Sequence, residues 1–365
     1  MTPEQKRVYD GVRSGKTIRE MANILNIDYV AAKSRYRRAK KWVDADPSAQ
    51  NAASVAGSEV MPHSYWIKKN GVSAYFQSPK EAEVDDTLAK VADAFRDIPA
   101  YVPADVTITH SDILSAYCLF DAHIGMRAWG KETGGEDYDL SLAEQDIKSA
   151  FARLSSRAVG GGEAVLIVGG DTLHSDSNEN VTPASKHPLD VDGRQRLVVE
   201  VAIRSIAWAI EHLATRHEKV TVKVHRGNHD IVSHLILAFA LKERYRDTSR
   251  IIVDMGETDW FWKQWGKVAL FTSHGDRGSP ERFIGKMADI CPFWSAAPHR
   301  IAISGHIHKM QSSRIHGAMW HSVDAFCPAD EYGSQFSGRR GLAMMQLDKQ
   351  HGNIGMLFER IWREE

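Results

Sequence analysis

The spacing of apolar residues changes along this chain, and each change marks a new kind of segment. In TIREMANILN, residues 17–26, Ile18, Met21, Ala22 and Leu25 recur at three- and four-residue steps, the stripe of an amphipathic helix opened by Thr17. A first helix is expected from Pro3, capped by Thr2 and ended by Gly15. A third follows the break at Ile27-Asp28 and runs from about residue 29 to 43. Residues 46–60 are small and polar and read as a flexible linker. SYWIKKNGVSAYFQ then places Asn70-Gly71 between two alternating segments, which predicts a hairpin with a type I′ turn. SPKEAEVDDTLAKVADAFRD predicts a helix, and Pro99 and Pro103 bracket the next connection.

From about Ile113 the texture becomes strand-length apolar runs separated by helices. ILSAYCLF, AVLIVGG, KVTVKVHRG, KVALFTSH and RIAISGH are the runs, and helices are expected at 141–159, 193–216 and 230–244. This alternation predicts an α/β domain built on a buried sheet. The domains expected are therefore a helix-turn-helix-like module at 1–45, a linker at 46–60, a hairpin-plus-helix connector at 61–112 and the α/β domain at 113–365.

Composition adds little until it is read locally. Over 365 residues, 46 Lys plus Arg oppose 47 Asp plus Glu. Residues 1–45, however, hold eleven basic against five acidic side chains, a balance of +6 that leaves −7 for the rest. Lys33, Arg35, Arg37, Arg38, Lys40 and Lys41 crowd into nine positions of the third helix. A basic helix in the groove-reading place of a helix-turn-helix points to DNA as the partner. Three cysteines (Cys118, Cys291, Cys327) without C-x-x-C spacing suggest a reducing compartment and argue against a cysteine-built zinc site. No apolar run approaches the ~20 residues of a membrane span, so a soluble, cytoplasmic protein with no membrane partner is expected.

The chemistry sits where the strands end. Asp121-Ala-His123, Gly170-Asp171, Gly227-Asn228-His229-Asp230, His274-Gly275-Asp276 and Gly305-His306-Ile307-His308 each follow an apolar run. All five carry Asp, Asn or His, the oxygen and nitrogen donors that suit divalent metals of intermediate hardness. Strand ends of this kind are where α/β folds place their reactive groups.

In that order the five segments resemble the calcineurin-like metallophosphoesterase superfamily, whose pattern is D-x-H, G-D, G-N-H-[DE], H and G-H-x-H. The resemblance covers roughly residues 113–310 and every ligand position is matched. It implies a two-sheet αββα sandwich carrying two divalent metal ions, manganese first, with iron, zinc or cobalt as alternatives. By that resemblance Asp121, His123 and His308 hold the first metal, Asp171 bridges, and Asn228, His274 and His306 complete the second. His229 then serves as the acid beside the leaving group, with Asp230 orienting its imidazole. An anionic bridge between two cations, and a tunable imidazole beside the leaving oxygen, are what phosphoester hydrolysis at neutral pH requires.

GGDTLHSD carries His174 and Asp176 beyond the second motif and is similar to a stretch of the DNA double-strand-break repair nucleases in this superfamily. Lys186, Arg194, Arg196, Arg277, Arg339 and Arg340 are candidate phosphate contacts, whereas Trp260, Trp262 and Trp265 are expected to pack. Residues 311–365, including GLAMMQL and GNIGMLFERIW, are expected to complete the second sheet. The function expected is a dinuclear-metal phosphodiesterase, a DNA nuclease targeted by its basic N-terminal domain. The alternatives are a phosphatase or phosphodiesterase of small nucleotides, and a DNA-binding regulator on a non-catalytic phosphoesterase scaffold.

Overall fold

The structure is a computed structural model that describes residues 3–14, 16–27, 31–32, 35–36, 64–69, 72–77, 81–96, 98–108, 110–183, 186–256, 258–330 and 339–363. They fall into two compact units, Met1–Thr87 and Leu88–Glu365.

In the first unit, α1 (Pro3–Arg13) and α2 (Ile18–Ile24) are the first two expected helices. Thr17 and Glu20 form a reciprocal capping box: the Thr17 hydroxyl accepts from Glu20 N, and Thr17 N donates to Glu20 Oε2 at 2.7 Å. Val8, Met21, Ala22 and Ala32 are buried, so the apolar stripe does face inward. Gly11 lets the helices close, because a Cβ there would stand 2.2 Å from Met21 Sδ. Tyr36 stacks on Tyr9 with ring centroids 5.8 Å apart, and Arg35 pairs with Glu4 at 2.8 Å. Of the six basic residues expected on a third helix, only Arg35 is among the described residues. Lys33, Arg37, Arg38, Lys40, Lys41 and the linker at 46–60 lie outside the described residues. The strands β1 (Ser64–Lys69) and β2 (Val72–Gln77) pair antiparallel with Lys69 opposite Val72, and α3 (Glu81–Phe95) begins in this unit and ends in the second.

The second unit is layered. Its six-stranded sheet runs β13-β12-β3-β4-β5-β6. Here β3 (His110–Leu119), β4 (Gly161–Val168), β5 (Lys219–Val224) and β6 (Ile251–Asp254) are parallel. β12 (Gly341–Asp348) lies antiparallel on β3, and β13 (Gly352–Arg360) closes that edge. The second sheet runs β10-β11-β9-β8-β7. It comprises β7 (Phe261–Trp265), β8 (Val268–Thr272), β9 (His299–Ser304), β10 (Gln311–Ile315) and β11 (Ala318–Ser322). A short α4 (Gly130–Thr133) precedes the main helices α5 (Leu140–Arg157), α6 (Gln195–Ala214) and α7 (Ser233–Arg244), and α8 (Pro280–Ile290) comes later.

Side-chain alternation shows why two sheets form. On β3, Tyr117 and Leu119 pack with α5, α6 and α7, whereas Leu114, Ala116 and Cys118 face the second sheet. On β8, Val268 and Leu270 enter that inter-sheet core, and Ala269 and Phe271 pack with Phe283, Ile284 and Met287 of α8. The order helix, sheet, sheet, helix is the αββα sandwich. Each fully buried side chain of this size contributes roughly 1.5–3 kcal/mol.

One expectation is corrected. GLAMMQL and GNIGMLFER form β12 and β13 and join the first sheet, and only β10 and β11 of that region join the second. Burial on both faces does not choose a sheet, since β8 of the second sheet has it too. β12 packs Leu342 and Met344 with the helices of the first sheet, and Ala343, Met345 and Leu347 against the second sheet, in register with β3. The tryptophans do pack: Trp260 stacks on Phe283 at 5.4 Å, and buried Trp265 donates from Nε1 to the carbonyls of Asp112 and Leu347.

Candidate metal centre

Because β3, β4 and β5 are parallel to one another, and β8 and β9 likewise, the five chemical segments leave the same edge of the sandwich. Backbone bonds then stitch the loops together: His123 N donates to Asp171 O at 2.9 Å, and Gly305 N to His274 O at 2.9 Å. Close approach makes glycine necessary at position 227, where a Cβ would sit 2.0 Å from Asp171 Oδ1. Five candidate ligands adopt left-handed backbone conformations: Asp121 (φ 51°), His123 (43°), Asp171 (46°), His306 (70°) and His308 (51°). Asp and His tolerate this region better than most residues, but a ligand-lined loop must still impose it.

Asp121, His123 and His308 bring one ligand atom each to within 4.8 Å of one another, and so do Asp171, His274 and His306. His308 Nε2 lies 3.3 Å from Asp121 Oδ1, and His274 Nε2 lies 3.3 Å from Asp171 Oδ2. Asn228 Oδ1 stands 3.3 Å from His274 Nε2, and His274 Nδ1 donates to the Gly169 carbonyl at 2.9 Å. The donor at Nδ1 leaves Nε2 to face the centre. All seven residues expected as ligands therefore meet at one place.

A third trio, His123, His174 and His229, shares His123 with the first. His174 lies outside the expected ligand set, although its place three residues after Asp171 was the available signal. Its Nδ1 is 3.0 Å from His123 Nδ1. Asp176, from the same stretch, caps α7 by accepting from Val232 N and Ser233 N.

The role expected of Asp230 is corrected. Its carboxylate does not hold the His229 imidazole: Oδ1 accepts from Gly227 N at 2.8 Å and Oδ2 from Thr172 N at 2.9 Å. The His229 ring is oriented instead by the His174 carbonyl, 2.9 Å from its Nδ1. A carbonyl only accepts, so Nδ1 carries the hydrogen and Nε2 is the atom free to take or give a proton. Asp230 is wholly buried, and burial, then the Asp171 charge, pushes its carboxyl up to about 7.

The remaining groups are polarised strongly. Burial alone would raise Asp171, but the imidazoles, His274 first, hold its carboxyl far below the carboxylate range. Burial likewise opposes charge on His274, yet Asp171 lifts it to about 10. Burial and the nearby His229 push His123 well down, and take His174 to about 3. Carboxylates facing imidazoles in a buried cluster are the arrangement that a cation would stabilise further.

A test of fit comes from unsatisfied atoms. Asp121 Oδ1, His123 Nε2 and His174 Nε2 are buried without a hydrogen-bond partner. Buried polar atoms are normally paired, and three orphans in one cluster call for a ligand. Nitrogen and carboxylate donors together fit manganese, iron, zinc or cobalt.

Several candidate phosphate contacts are already engaged. Arg340 is buried and binds Glu136 at 2.9 Å and Asp146 at 2.6 Å. Lys186 pairs with Glu179 at 3.6 Å, Arg196 with Glu200 at 2.8 Å, and Arg277 with Asp259 at 2.5 Å. Arg226, not among the residues expected from the sequence, lies two residues past the end of β5 and binds Asp276 at 2.7 Å. Its signal was its place immediately before Gly227.

No family model and no curated protein matches the sequence. Among solved structures, the chain is similar to an archaeal phosphodiesterase at 13% identity and a TM-score of 0.35, over 67% of this chain and 99% of that one. It is similar to a predicted phosphoesterase from Streptococcus pneumoniae at 10% identity and a TM-score of 0.29, covering 68% of this chain and 98% of that one. A purple acid phosphatase from yellow lupin (Lupinus luteus) gives 11% identity and a TM-score of 0.32, over 83% of this chain and 61% of that one. Among the described residues, no helix is long and apolar enough to cross a membrane.

Proposed function

We propose that the protein is a metal-dependent phosphodiesterase of the calcineurin-like kind that hydrolyses DNA. The observation that carries the reading is the pair of trios, Asp121–His123–His308 and Asp171–His274–His306, with buried orphan atoms at Asp121 and His123. Asp121, His123 and His308 would hold one divalent cation and Asn228, His274 and His306 a second, with Asp171 between them. Such ions supply Lewis acidity to the phosphoester and lower the pKa of water.

The chain's own groups do the rest. His229 keeps a hydrogen on Nδ1 through the His174 carbonyl and can hold at Nε2 the proton a departing alkoxide needs. Its backbone N donates to Asp171 Oδ1 at 2.7 Å, so the acid is fixed relative to the shared carboxylate. Asp230 pins Gly227 and Thr172 and thereby locks the two loops that carry Asp171 and His229. Asn228 adds an oxygen donor without adding negative charge, which favours an anionic phosphate.

DNA as the polymer is supported by the +6 balance of residues 1–45 and by the helix, turn and helix packing there. A small-nucleotide substrate is the second reading, favoured by the pairing of Arg35 with Glu4, which takes one cation of the basic segment.

The test uses the full chain loaded with manganese, its metal content, bis-p-nitrophenyl phosphate, and plasmid and end-labelled DNA. Two metal equivalents and hydrolysis of both substrate types are expected. Deleting residues 1–45 should leave the small diester unaffected and weaken DNA cleavage. The difference should shrink as salt rises, because cationic binding depends on counterion release. Equal DNA affinity with and without the segment at low salt would establish the small-nucleotide reading. Metal-loaded protein inert on every substrate would refute hydrolysis.

A further inference from the structure

The ligands of the second cation come from different sheets. Asp171 and Asn228 follow β4 and β5 of the six-stranded sheet, whereas His274 and His306 follow β8 and β9 of the other. Within each sheet the loops are tied by short bonds: His229 N donates to Asp171 Oδ1 at 2.7 Å, and Gly305 N to His274 O at 2.9 Å. Across the sheets, Asn228 Oδ1 approaches His274 Nε2 at 3.3 Å, which is long for a hydrogen bond. That contact alone is a weak hold on two loops.

A stronger link crosses the sheets beside it. Arg226 stands two positions before Asn228, and Asp276 two positions after His274. Arg226 Nη2 donates to Asp276 Oδ2 at 2.7 Å, and each side chain is only 15% exposed. Arg226 Nε lies 3.9 Å from Asp259 Oδ1, and Arg277 pairs with the other oxygen of Asp259 at 2.5 Å. Four charges thus alternate in sign and balance, so the guanidinium is held from two sides. A charge-assisted bond this short and this shielded from water fixes direction as well as distance. Asp121, on the side of the first cation, has its own tie across the sheets, accepting from His306 N at 3.0 Å.

We infer that Arg226 and Asp276 are positioning residues: their ion pair holds Asn228 and His274 at the spacing a divalent cation needs, and so sets the affinity of the second site separately from the first. The inference rests on the two-cation reading of the centre. Geometry and charge make opposite predictions for Arg226. A guanidinium repels a nearby cation, so if charge alone mattered its removal would tighten metal binding. If it holds two ligands together, its removal loosens binding.

The experiment titrates the metal-free full chain with manganese and follows calorimetric heat, for the parent, Arg226→Gln, Asp276→Asn and the double variant. The parent should take up two equivalents. Each single variant should bind the second equivalent about 10–100-fold more weakly, as losses of groups that orient a ligand do, and bind the first as before. The double variant exchanges the pair for two amides and strands no charge, so it serves even where a single variant fails to fold. Its loss should match that of one single variant, because the two residues act through one bond. Anomalous scattering from manganese-soaked crystals of the double variant should place the retained ion at Asp121, His123 and His308. Tighter or unchanged binding in Arg226→Gln, equal weakening of both equivalents, or a retained ion at Asn228, His274 and His306 would overturn the inference and leave the two-cation reading intact. A parent chain that takes up fewer than two equivalents would overturn that reading, and the inference with it.

Discussion

The Nδ1 atoms of His123 and His174 stand 3.0 Å apart on the buried floor of the metal centre. One of them must donate and the other accept, so the two rings fix each other's orientation. Each ring then leaves Nε2 buried and unsatisfied. His174 thus sets the angle at which His123 meets a cation, and its carbonyl sets the angle of His229.

The His174→Ala variant should therefore bind metal more weakly, by roughly 10–100-fold, as losses of groups that orient a ligand do. Titration with manganese while following calorimetric heat checks this. Affinity equal to that of the parent chain would show that His123 needs no support from His174.

Asp171→Asn should lose at least one metal equivalent and lower turnover by more than the roughly hundredfold that loss of an orienting group produces. The carboxylate faces His274 and accepts His229 N, so its charge is used in two directions. Metal content by mass spectrometry and turnover of bis-p-nitrophenyl phosphate are the readouts. Two equivalents with full turnover would remove Asp171 from the bridge.

His229→Ala should retain its metals and lose about 10²–10⁴ in rate, the range for removing a general acid. The loss should be smaller with a p-nitrophenolate leaving group, which departs with little protonation. A fall in metal content would instead make the trio of His123, His174 and His229 a binding site in its own right.

A structural prediction concerns Asp146 on α5. It is buried, accepts two hydrogen bonds from Arg363 at 3.0 and 2.7 Å, and pairs with Arg340 at 2.6 Å. Asp146→Ala removes the buried carboxylate that both guanidinium groups share, leaving Arg340 to Glu136 and Arg363 to the Asp137 carbonyl, and should cost about 3 kcal/mol. Urea unfolding followed by tryptophan fluorescence measures it. A change within about 0.5 kcal/mol, as at an ordinary surface site, would show the network to be dispensable.

The ligand loops were legible in the sequence because each is a two- to four-residue motif directly after an apolar run, and parallel strands deliver such loops to one edge. The Asp230 contact was not, since adjacency to His229 in the chain says nothing about Thr172, contributed by the loop after β4. The place of β12 was hidden for a related reason. A run buried on both faces satisfies either sheet, and only its register, with Met345 opposite Ala116, decides. Arg340 read as a free cation because its partners Glu136 and Asp146 lie about two hundred positions earlier.

The left-handed backbone at Asp121, His123, Asp171, His306 and His308 has a practical consequence for engineering. Each such residue costs about 1 kcal/mol or more relative to a conformation it prefers. Glycine at any of the five would relax that backbone while deleting a metal donor. A library screened only for heat resistance would therefore enrich variants that have discarded the centre, and thermal tolerance and retained metal would have to be sorted together.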